Sequence, residues 1–331
     1  MNGSSTLVVK LSLSKVIATA AALTLLAASQ ANAQVEIKFP FEVPAVHIKG
    51  KTIQHFATSL EKSTKGYYRV SLFPAGQLMS PTEEIAAVAR GQVQMAAPFL
   101  NYVGSIEPGF NLFAVPMLFE NYAALTKATE GPAGMELLSR LSNRGLHGIG
   151  YWFEAPIELF SKRTVENLAQ LSGQKLRVFP SEILIGATKA LGAVPTSIPG
   201  PEIYLALQQG IADGAWTTPT YAVTIKLADV QKAMTKVSIS YGGYGVIVNK
   251  RFFDAQPPDM QKAIVAAVAD AQEFNRKQVI QDLAATDEEL KRAGMTIVSL
   301  SSEERQKWRD RLQPVYDGLT PDLKSLVAKT K

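Results

Sequence analysis

Cysteine is absent from the 331-residue chain, which excludes a disulfide framework, a thiolate zinc site, an iron–sulfur cluster and a cysteine nucleophile. Histidine is scarce: His47, His55 and His147 are the three present, and their spacing fits no compact metal-binding motif. A G-x-S-x-G elbow, an H-E-x-x-H helix, a Walker loop and a G-x-G-x-x-G turn are also missing. We therefore predict a protein that is not an enzyme, that uses no cofactor and no metal ion, and that holds a molecule without transforming it.

The chain also lacks a strong excess of charge of one sign. Its formal net charge is +5, from 34 basic and 29 acidic residues. Lys10 and Lys15 lie in a segment that we expect to be removed, and without them the net charge is +3. That value is too small to indicate a nucleic-acid partner. At roughly 150 residues per domain, the length corresponds to about two domains.

The first 33 residues have the order of a secretory signal peptide. Lys10 and Lys15 precede the uncharged residues 16–28, and Ala31-Asn32-Ala33 offers small residues at the two positions that a signal peptidase reads. The alternative is a membrane anchor, but residues 16–28 would span only about 20 Å as a helix, against a hydrocarbon core of roughly 30 Å. We predict cleavage after Ala33 and export to a bacterial periplasm.

Strand and helix patterns alternate along the rest of the chain, which is typical of an α/β fold with largely parallel strands. A helix is predicted to begin at Ser80, with Pro81 in its first turn and Glu83 completing a capping box, and to end at Gly91. The predicted strands cover residues 35–39, 67–73, 93–97, 146–152, 157–161, 174–179, 211–216 and 237–249, and the other early and central helices cover 47–64, 131–143, 181–191 and 201–209.

Two features in the second half indicate how two lobes are connected. Gly242 and Gly243 interrupt the strand pattern of residues 237–249, which indicates a bend or a close backbone approach and hence a crossing between lobes. Residues 258–292 have helical composition with no glycine or proline after Pro258. Because a helix rises 1.5 Å per residue, this segment would span roughly 50 Å. One helix of that length is predicted to brace both lobes.

Several short motifs follow one another in a fixed order within residues 171–218. In residue type, order and spacing they resemble the substrate-binding proteins of tripartite ATP-independent periplasmic (TRAP) transporters, and the resemblance covers nearly all of the chain from residue 35. The motifs are GQKLRV at 173–178, LGA at 191–193 with Pro195, EIYLALQ at 202–208 and GIADG at 210–214, supported by PAGQL at 74–78, FAVPMLF at 113–119 and IVN at 247–249.

This resemblance implies a two-lobed α/β periplasmic-binding-protein fold with a hinged cleft and a long interlobe helix. We assign residues 34–154 and 243–282 to lobe I, and residues 155–242 and 283–331 to lobe II. The family's shared anchor for an organic anion maps onto Arg177. A guanidinium can bind a carboxylate through two parallel hydrogen bonds, and a strand restricts its movement. From the residues alone, the alternative is an ion pair between Arg177 and a neighbouring acid.

Other ligand contacts are expected where strands end at the cleft edge of an open sheet. Trp216 and Thr217 follow the GIADG motif, and Phe179 follows the strand of Arg177. Packing in the core is the alternative role for each of these residues. The other candidates are Phe41, beside Glu42 and Val43 after the first strand, Glu84 at the start of a helix, Tyr102, beside Asn101 after the third strand, and Tyr241, which with Tyr244 flanks the two crossing glycines.

Two positions depart from relatives within the resembling family. Ile157 stands where the sialic-acid-binding relatives have a second ligand-facing arginine. Ala215 has no metal-coordinating side chain, and it stands where the keto-acid-binding relatives coordinate a metal ion through a glutamate. The resemblance therefore implies one strong cationic anchor, an aromatic wall and no bound cation.

Together these observations predict a periplasmic solute receptor that binds a small organic anion, a monocarboxylate, by lobe closure. The resemblance implies that it delivers this ligand to the membrane permease subunits of a TRAP transporter, and we expect it to act as a monomer without a nucleic-acid partner. Two alternatives stay open at this point: a periplasmic lyase or hydrolase that anchors a carboxylate substrate through Arg177, and a sensor subunit that presents its ligand to a membrane receptor.

Overall fold

The computed structural model describes residues 34–330, and the predicted signal peptide, residues 1–33, lies outside them. In the described part, no helix is both long enough and apolar enough to cross a membrane. The strands are β1 (Val35–Pro40), β2 (Tyr68–Phe73), β3 (Met95–Ala96), β4 (Leu146–Ser161), β5 (Lys175–Val178), β6 (Val194–Ser197), β7 (Gly214–Thr217), β8 (Ala233–Asn249) and β9 (Thr296–Ser299).

Helices connect these strands and cover their faces. The α-helices are α1 (Ile48–Ser63), α2 (Glu84–Arg90), α3 (Leu100–Val103), α4 (Tyr122–Glu130), α5 (Pro132–Arg140), α6 (Leu168–Leu171), α7 (Glu182–Ala190), α8 (Ile203–Gln208), α9 (Pro219–Thr224), α10 (Lys250–Asp254), α11 (Pro258–Arg292), α12 (Ser302–Asp317) and α13 (Pro321–Ala328). Short 3₁₀ helices cover Pro108–Ala114, Leu141–Arg144, Gly200–Glu202 and Leu227–Asp229.

Capping residues fix where the helices begin and end. Ser181 accepts a hydrogen bond from a backbone N–H at the start of α7, and Gly91 ends α2 with a φ of 76°, which glycine adopts without strain. The predicted start of α2 at Ser80 is wrong. The Ser80 hydroxyl donates to the Glu83 carboxylate at 2.7 Å instead of capping a helix, so residues 80–83 form a turn and α2 begins at Glu84.

The strands form two sheets, a parallel pair and a larger sheet of mixed direction. β1 and β2 pair in parallel with each other, and the larger sheet has the order β3–β8–β4–β7–β5–β6, with β9 beside β8. β5 is parallel to β6 and β7, but β4 is antiparallel to β7 and β8. The predicted largely parallel pairing is therefore wrong for the centre of the molecule, because the long strands β4 and β8 run through it in opposite directions.

β4 and β8 are the central feature of the fold. The sequence predicted two strands at 146–152 and 157–161, but β4 is continuous, and Pro156 lies at a register shift against β8. Pro156 itself pairs with Tyr241, and the residues within the shift are Glu154 and Ala155 on β4 and Gly242 on β8. The predicted lobe boundaries, 154/155 and 242/243, lie opposite each other in this pair. They stay a prediction, which the pairing of the two strands supports.

The predicted close approach at the crossing glycines is confirmed. A Cβ atom on Gly242 would lie 2.8 Å from Cγ2 of Thr218, and one on Gly243 would lie 3.1 Å from a ring carbon of Phe153. Both distances are shorter than ordinary van der Waals contact, so any larger residue would push β8 away from its neighbours.

The long helix α11 has the predicted bounds and packs against α1, α9 and β4. Asn275 fastens it to the centre of the molecule. Its side-chain amide accepts from the backbone N–H of Phe153 at 2.7 Å and donates to the Phe153 carbonyl and the Thr52 hydroxyl, both at 3.0 Å. The helix therefore contacts elements of both predicted lobes. β9 and the division of the C-terminal tail into α12 and α13 were not predicted.

Candidate ligand-binding site

A small cavity lies between the two predicted lobes, where several strands end. Its volume is about 30 Å³, which is room for about two water molecules. This position is the usual one for a binding site in an open α/β sheet. Predicted lobe I lines the cavity with Glu42, Val43, Phe99, Tyr102, Glu154 and Tyr244, and predicted lobe II lines it with Phe179, Gly200, Thr217, Thr218 and Tyr221.

Arg177 on β5 lies directly behind this lining. Its guanidinium carbon is 4.1 Å from the centroid of the Phe179 ring. Nε donates to the carbonyl of Ile198 and Nη1 donates to the carbonyl of Trp216, both at 2.8 Å. Nη2 has no hydrogen-bond partner among residues 34–330. Two backbone carbonyls thus hold the guanidinium in place, and Nη2 is the nitrogen that stays without a hydrogen bond within the described residues.

The charge of Arg177 is not balanced by a protein acid. No aspartate or glutamate of the described residues forms an ion pair with it, and the groups that favour its charged form are the phenols of Tyr102 and Tyr221. The side chain is fully buried, and burial lowers the pKa of Arg177 to about 10, so it remains charged at pH 7. A buried charge without a counter-ion is costly, and an anion beside Nη2 would remove that cost.

Phe179, Thr217 and Tyr102, three of the residues predicted to contact a ligand, line the cavity, and ligand contact stays a prediction for them. Two of them also join the lobes. Phe179 stacks on Phe99 with ring centroids 4.7 Å apart and planes 10° apart, and Tyr102 Oη accepts a hydrogen bond from Gly200 N–H at 3.4 Å. The cavity is therefore closed by direct contacts between residues of the two predicted lobes.

Trp216 is not part of the cavity wall, and the predicted pocket-lining role needs correction. Its indole donates to the Thr188 hydroxyl at 3.1 Å and packs edge-on against Trp308, with ring centroids 6.5 Å apart. Neighbouring residues of a strand point to opposite faces. Because Thr217 faces the cavity, Trp216 faces the core, and it serves the site through the carbonyl that holds Arg177.

Phe41 and Tyr241 also lie away from the cavity lining. Phe41 is buried in the main hydrophobic core, and the next residue, Glu42, lines the cavity instead. Tyr241 packs edge-on against Tyr122, with ring centroids 5.4 Å apart, while Tyr244 faces the cavity. Phe41 is thus next to a residue that lines the cavity, and Tyr241 lies three residues before one.

Glu84 is fully buried and is not part of the lining, but it lies beside a charged pair that reaches the cavity. Lys49, also fully buried, donates to the Glu42 carboxylate and lies 4.5 Å from the centroid of the Tyr244 ring. Neither oxygen of Glu84 has a hydrogen-bond partner among residues 34–330. Burial raises the pKa of Glu84 well above its usual range, Lys49 opposes this rise and Glu42 adds to it. Burial thus favours the protonated form of Glu84, which lies within electrostatic reach of Lys49 and Glu42.

Glu154 is within hydrogen-bond distance of four other side chains at the cavity. Its Oε1 accepts hydrogen bonds from the Thr218 and Thr220 hydroxyls, and its Oε2 accepts one from Tyr244 Oη at 2.5 Å. His47 Nδ1 accepts from the backbone N–H of Lys49, so His47 Nε2 carries the proton that is directed at Glu154 Oε1, 3.2 Å away. Burial raises the pKa of Glu154, but His47 and the threonine hydroxyls outweigh burial and lower the pKa to about 2.

The sequence prediction omitted several residues of this site: Phe99, Glu154, Gly200, Thr218 and Tyr221 line the cavity, and His47 is buried against Glu154. One signal was available. Glu154 stands in the otherwise apolar run YWFEAPI at 151–157, and a glutamate is rarely buried without partners. No group of three or more histidines or acidic residues within residues 34–330 is arranged to hold a metal ion.

Comparison with known proteins agrees with this architecture. The family model described as bacterial extracellular solute-binding protein, family 7, matches residues 39–321. The C4-dicarboxylate-binding periplasmic protein DctP of Rhodobacter capsulatus is 36% identical over 286 residues, which is 86% of either chain. The C4-dicarboxylate-binding protein DctB of Bacillus subtilis is 30% identical over 87% of this chain and 83% of its own.

Solved structures show the same two-lobed fold. A TRAP periplasmic solute-binding protein from Sulfurospirillum deleyianum with bound succinate has a TM-score of 0.85 and 28% identity, over 90% of this chain and 98% of its own. The sugar-acid-binding protein DctPAm from Advenella mimigardefordensis in complex with galactonate has a TM-score of 0.86 and 27% identity, over 90% and 96%. The chain therefore belongs to family 7 of the bacterial extracellular solute-binding proteins, the periplasmic solute receptors of TRAP transporters.

Proposed function

We propose that this receptor binds a small organic acid in the cavity between its lobes and anchors the ligand carboxylate on Arg177. The observation that carries the proposal is the fully buried guanidinium whose Nη2 has no partner and whose charge no acid of residues 34–330 balances. A carboxylate beside Nη2 would form a charge-assisted hydrogen bond of about 1.5–3 kcal/mol. Proteins of this family bind such acids and work with membrane permease components.

We further propose a ligand with one carboxylate. The two relatives named above bind C4-dicarboxylates, whereas the DctPAm structure contains galactonate, so the family alone leaves both kinds of acid open. In this chain, the charged residues of the cavity lining are Glu42 and Glu154, and Lys49 is already bound to Glu42. Arg177 is therefore the cation on which a carboxylate can be bound.

Lobe closure is the proposed mechanism, because the lining comes from both lobes and the cavity is smaller than an organic acid. The ligand enters an open form, and the stack of Phe99 on Phe179 and the bond from Gly200 to Tyr102 form when the lobes close. To shift such an equilibrium from 1:99 to 99:1, the ligand must favour the closed form by about 5.5 kcal/mol. Arg177 supplies part of this difference, and lobe I must supply the rest.

A thermal-shift screen of organic acids against the purified mature chain tests the proposal, since a ligand that binds the folded state raises its melting temperature by mass action. We expect at least one monocarboxylate to raise the melting temperature, and we expect the bound acid to be recovered chemically unchanged after overnight incubation. Recovery of an altered acid would support the enzyme alternative. If no organic acid stabilises the protein, the proposal is wrong.

We also propose that the mature receptor works in the periplasm as a monomer. One chain provides every residue of the cavity lining, and residues 1–33 have the pattern of a signal peptide. Mass spectrometry of the exported protein should find a chain that begins at Gln34, and light scattering should give the mass of one chain. A retained N-terminal segment would contradict the first expectation, and a mass of two chains would contradict the second.

A further inference from the structure

We propose that Glu154 is a clasp between the two lobes: its carboxylate joins the start of α1 to the start of α9 and favours the closed receptor whether or not an acid is bound. The inference goes beyond the proposed ligand and rests only on the proposed lobe closure. Glu154 is then a positioning residue, which acts on a ligand through the arrangement of the lobes.

The protein itself supplies the hydrogen bonds that this carboxylate can accept. The hydroxyls of Thr218 and Thr220 donate to Oε1, and His47 Nε2 lies 3.2 Å from the same oxygen. Tyr244 Oη donates to Oε2 at 2.5 Å. A carboxylate has about four acceptor positions, and these four partners occupy them. Glu154 therefore lines the cavity without an acceptor position left for a ligand, and what distinguishes it is the set of elements that it holds together.

The four partners come from both predicted lobes. His47 caps the start of α1, and Tyr244 lies on β8 in predicted lobe I. Thr218 caps the start of α9, where its hydroxyl oxygen accepts a backbone N–H at 3.3 Å. Thr220 lies in the first turn of that helix, in predicted lobe II. Glu154 thus connects one helix of each predicted lobe through a single side chain.

Beside the clasp, a groove lies between the two helices. Its volume is about 280 Å³, and it is lined by the beginning of α1, by α9 and by α11. His47 and Thr220 form part of its wall, so the clasp stands between this groove and the ligand cavity. The His47 ring also packs edge-on against the Tyr221 ring, with centroids 6.0 Å apart. Hydrogen bonds to one carboxylate, together with this ring contact, join the two helices at this edge.

A small separation of the lobes is enough to break the clasp. The Thr220 hydroxyl lies 2.6 Å from Glu154 Oε1, and a hydrogen bond is lost beyond about 3.5 Å, so a movement of α9 by roughly 1 Å breaks it. Burial raises the pKa of Glu154, but His47 and the threonine hydroxyls lower it to about 2, so the acceptor is charged at pH 7. Bonds to a charged acceptor are stronger than bonds between neutral groups. The clasp therefore resists opening.

Thr220→Val tests the clasp, because it removes one donor and keeps the shape of the side chain, and because Thr220 is not part of the cavity lining. Thr220→Ser keeps the hydroxyl and should behave as the wild type. Thr224→Val is the matched control. Thr224 lies one turn further along α9, is also half-buried and lines the same groove, but its hydroxyl donates to the Thr220 carbonyl of its own helix at 2.9 Å. Circular dichroism confirms that the variants are folded.

The measurement uses spin labels, since a chain without cysteine can be labelled only where a cysteine is introduced. Thr58→Cys on α1 and Leu205→Cys on α8 place one label at an exposed position of each predicted lobe. Pulsed electron paramagnetic resonance then gives the distance between the labels in the dialysed, ligand-free mature protein. Thr220→Val should raise the ratio of open to closed molecules at least about tenfold, which is the effect of one lost bond to a charged acceptor. Phe99→Leu, which removes the stack on Phe179, should also lengthen the distance.

The outcomes separate the clasp from the closure on which it rests. If Thr220→Val gives the same distances as Thr224→Val while Phe99→Leu lengthens them, the clasp is overturned and lobe closure stands. An equal shift in Thr220→Val and Thr220→Ser also overturns the clasp, because the hydroxyl would then have no role. A single distance that none of these variants changes overturns lobe closure together with the clasp.

Discussion

Replacement of Arg177 by lysine is the most informative single change, because lysine keeps the charge and removes the planar group. In the wild-type protein, one guanidinium donates to the carbonyls of Ile198 and Trp216 and leaves Nη2 for the ligand. A lysine has its three donors at one atom and cannot reach the two carbonyls and a carboxylate in the same geometry. We therefore expect Arg177→Lys to fold and to bind the ligand weakly.

The size of the effect follows from the hydrogen bond that is lost. One charge-assisted bond contributes about 1.5–3 kcal/mol, and 1.4 kcal/mol corresponds to a factor of ten. Arg177→Lys should thus raise Kd by about 10- to 150-fold. Arg177→Met should raise it further, because the charge is lost as well. Both variants should also lose some stability, since a buried carbonyl without a donor costs about 1–3 kcal/mol.

Calorimetry with the acid that binds the wild type most tightly measures the change in Kd, and urea unfolding measures the loss of stability separately. Arg305→Lys is the matched control: Arg305 also donates to a backbone carbonyl, that of Val237 at 2.8 Å, but it is not part of the cavity lining. If Arg177→Lys and Arg177→Met bind with a Kd within threefold of the wild-type value, the carboxylate anchor lies elsewhere and the reasoning is refuted.

Two further predictions concern stability and closure. Burial raises the pKa of Glu158 to about 7, so the folded state keeps a proton that the unfolded state releases near pH 4.5. This group therefore lowers the free energy of unfolding by about 3 kcal/mol as the pH rises through that interval. Glu158→Gln should flatten the pH dependence of the free energy of unfolding in urea between pH 4.5 and 7.5, and an unchanged slope would contradict the assignment. Phe99→Leu removes an aromatic stack of about 1 kcal/mol between the predicted lobes, so ligand affinity should fall about fivefold. The ligand-free variant should also have a larger radius of gyration than the wild type in X-ray scattering. Equal radii would show that the stack does not hold the lobes together.

The positions of several site residues follow from strand periodicity, and others do not. Arg177 lies in a strand of recognisable motif, and Thr217 and Phe179 lie at strand ends, so their nearness to the cleft could be predicted. Side chains alternate along a strand, and Ile37, Phe39 and Phe41 share the buried side. The same alternation, applied one step further, would have selected Glu42 instead of Phe41.

Other features depend on tertiary contacts that one sequence does not contain. Pro156 resumes the pairing of β4 with β8 directly after a register shift, and no local pattern predicts that shift. His47 caps α1 through one ring nitrogen and reaches Glu154, 107 residues away, through the other. Such a contact is decided by the packing of α1 against the central strands, and local propensity carries no information about it.

The pairing of Trp216 with Trp308 gives the receptor a natural optical reporter. The chain has three tryptophans, and two of them are packed together behind Arg177, one with its carbonyl bound to the guanidinium. When an anion neutralises that guanidinium, the electric field at the Trp216 indole changes, and indole emission responds to such changes in wavelength and intensity. Ligand capture can therefore be timed by stopped-flow fluorescence without attaching a dye.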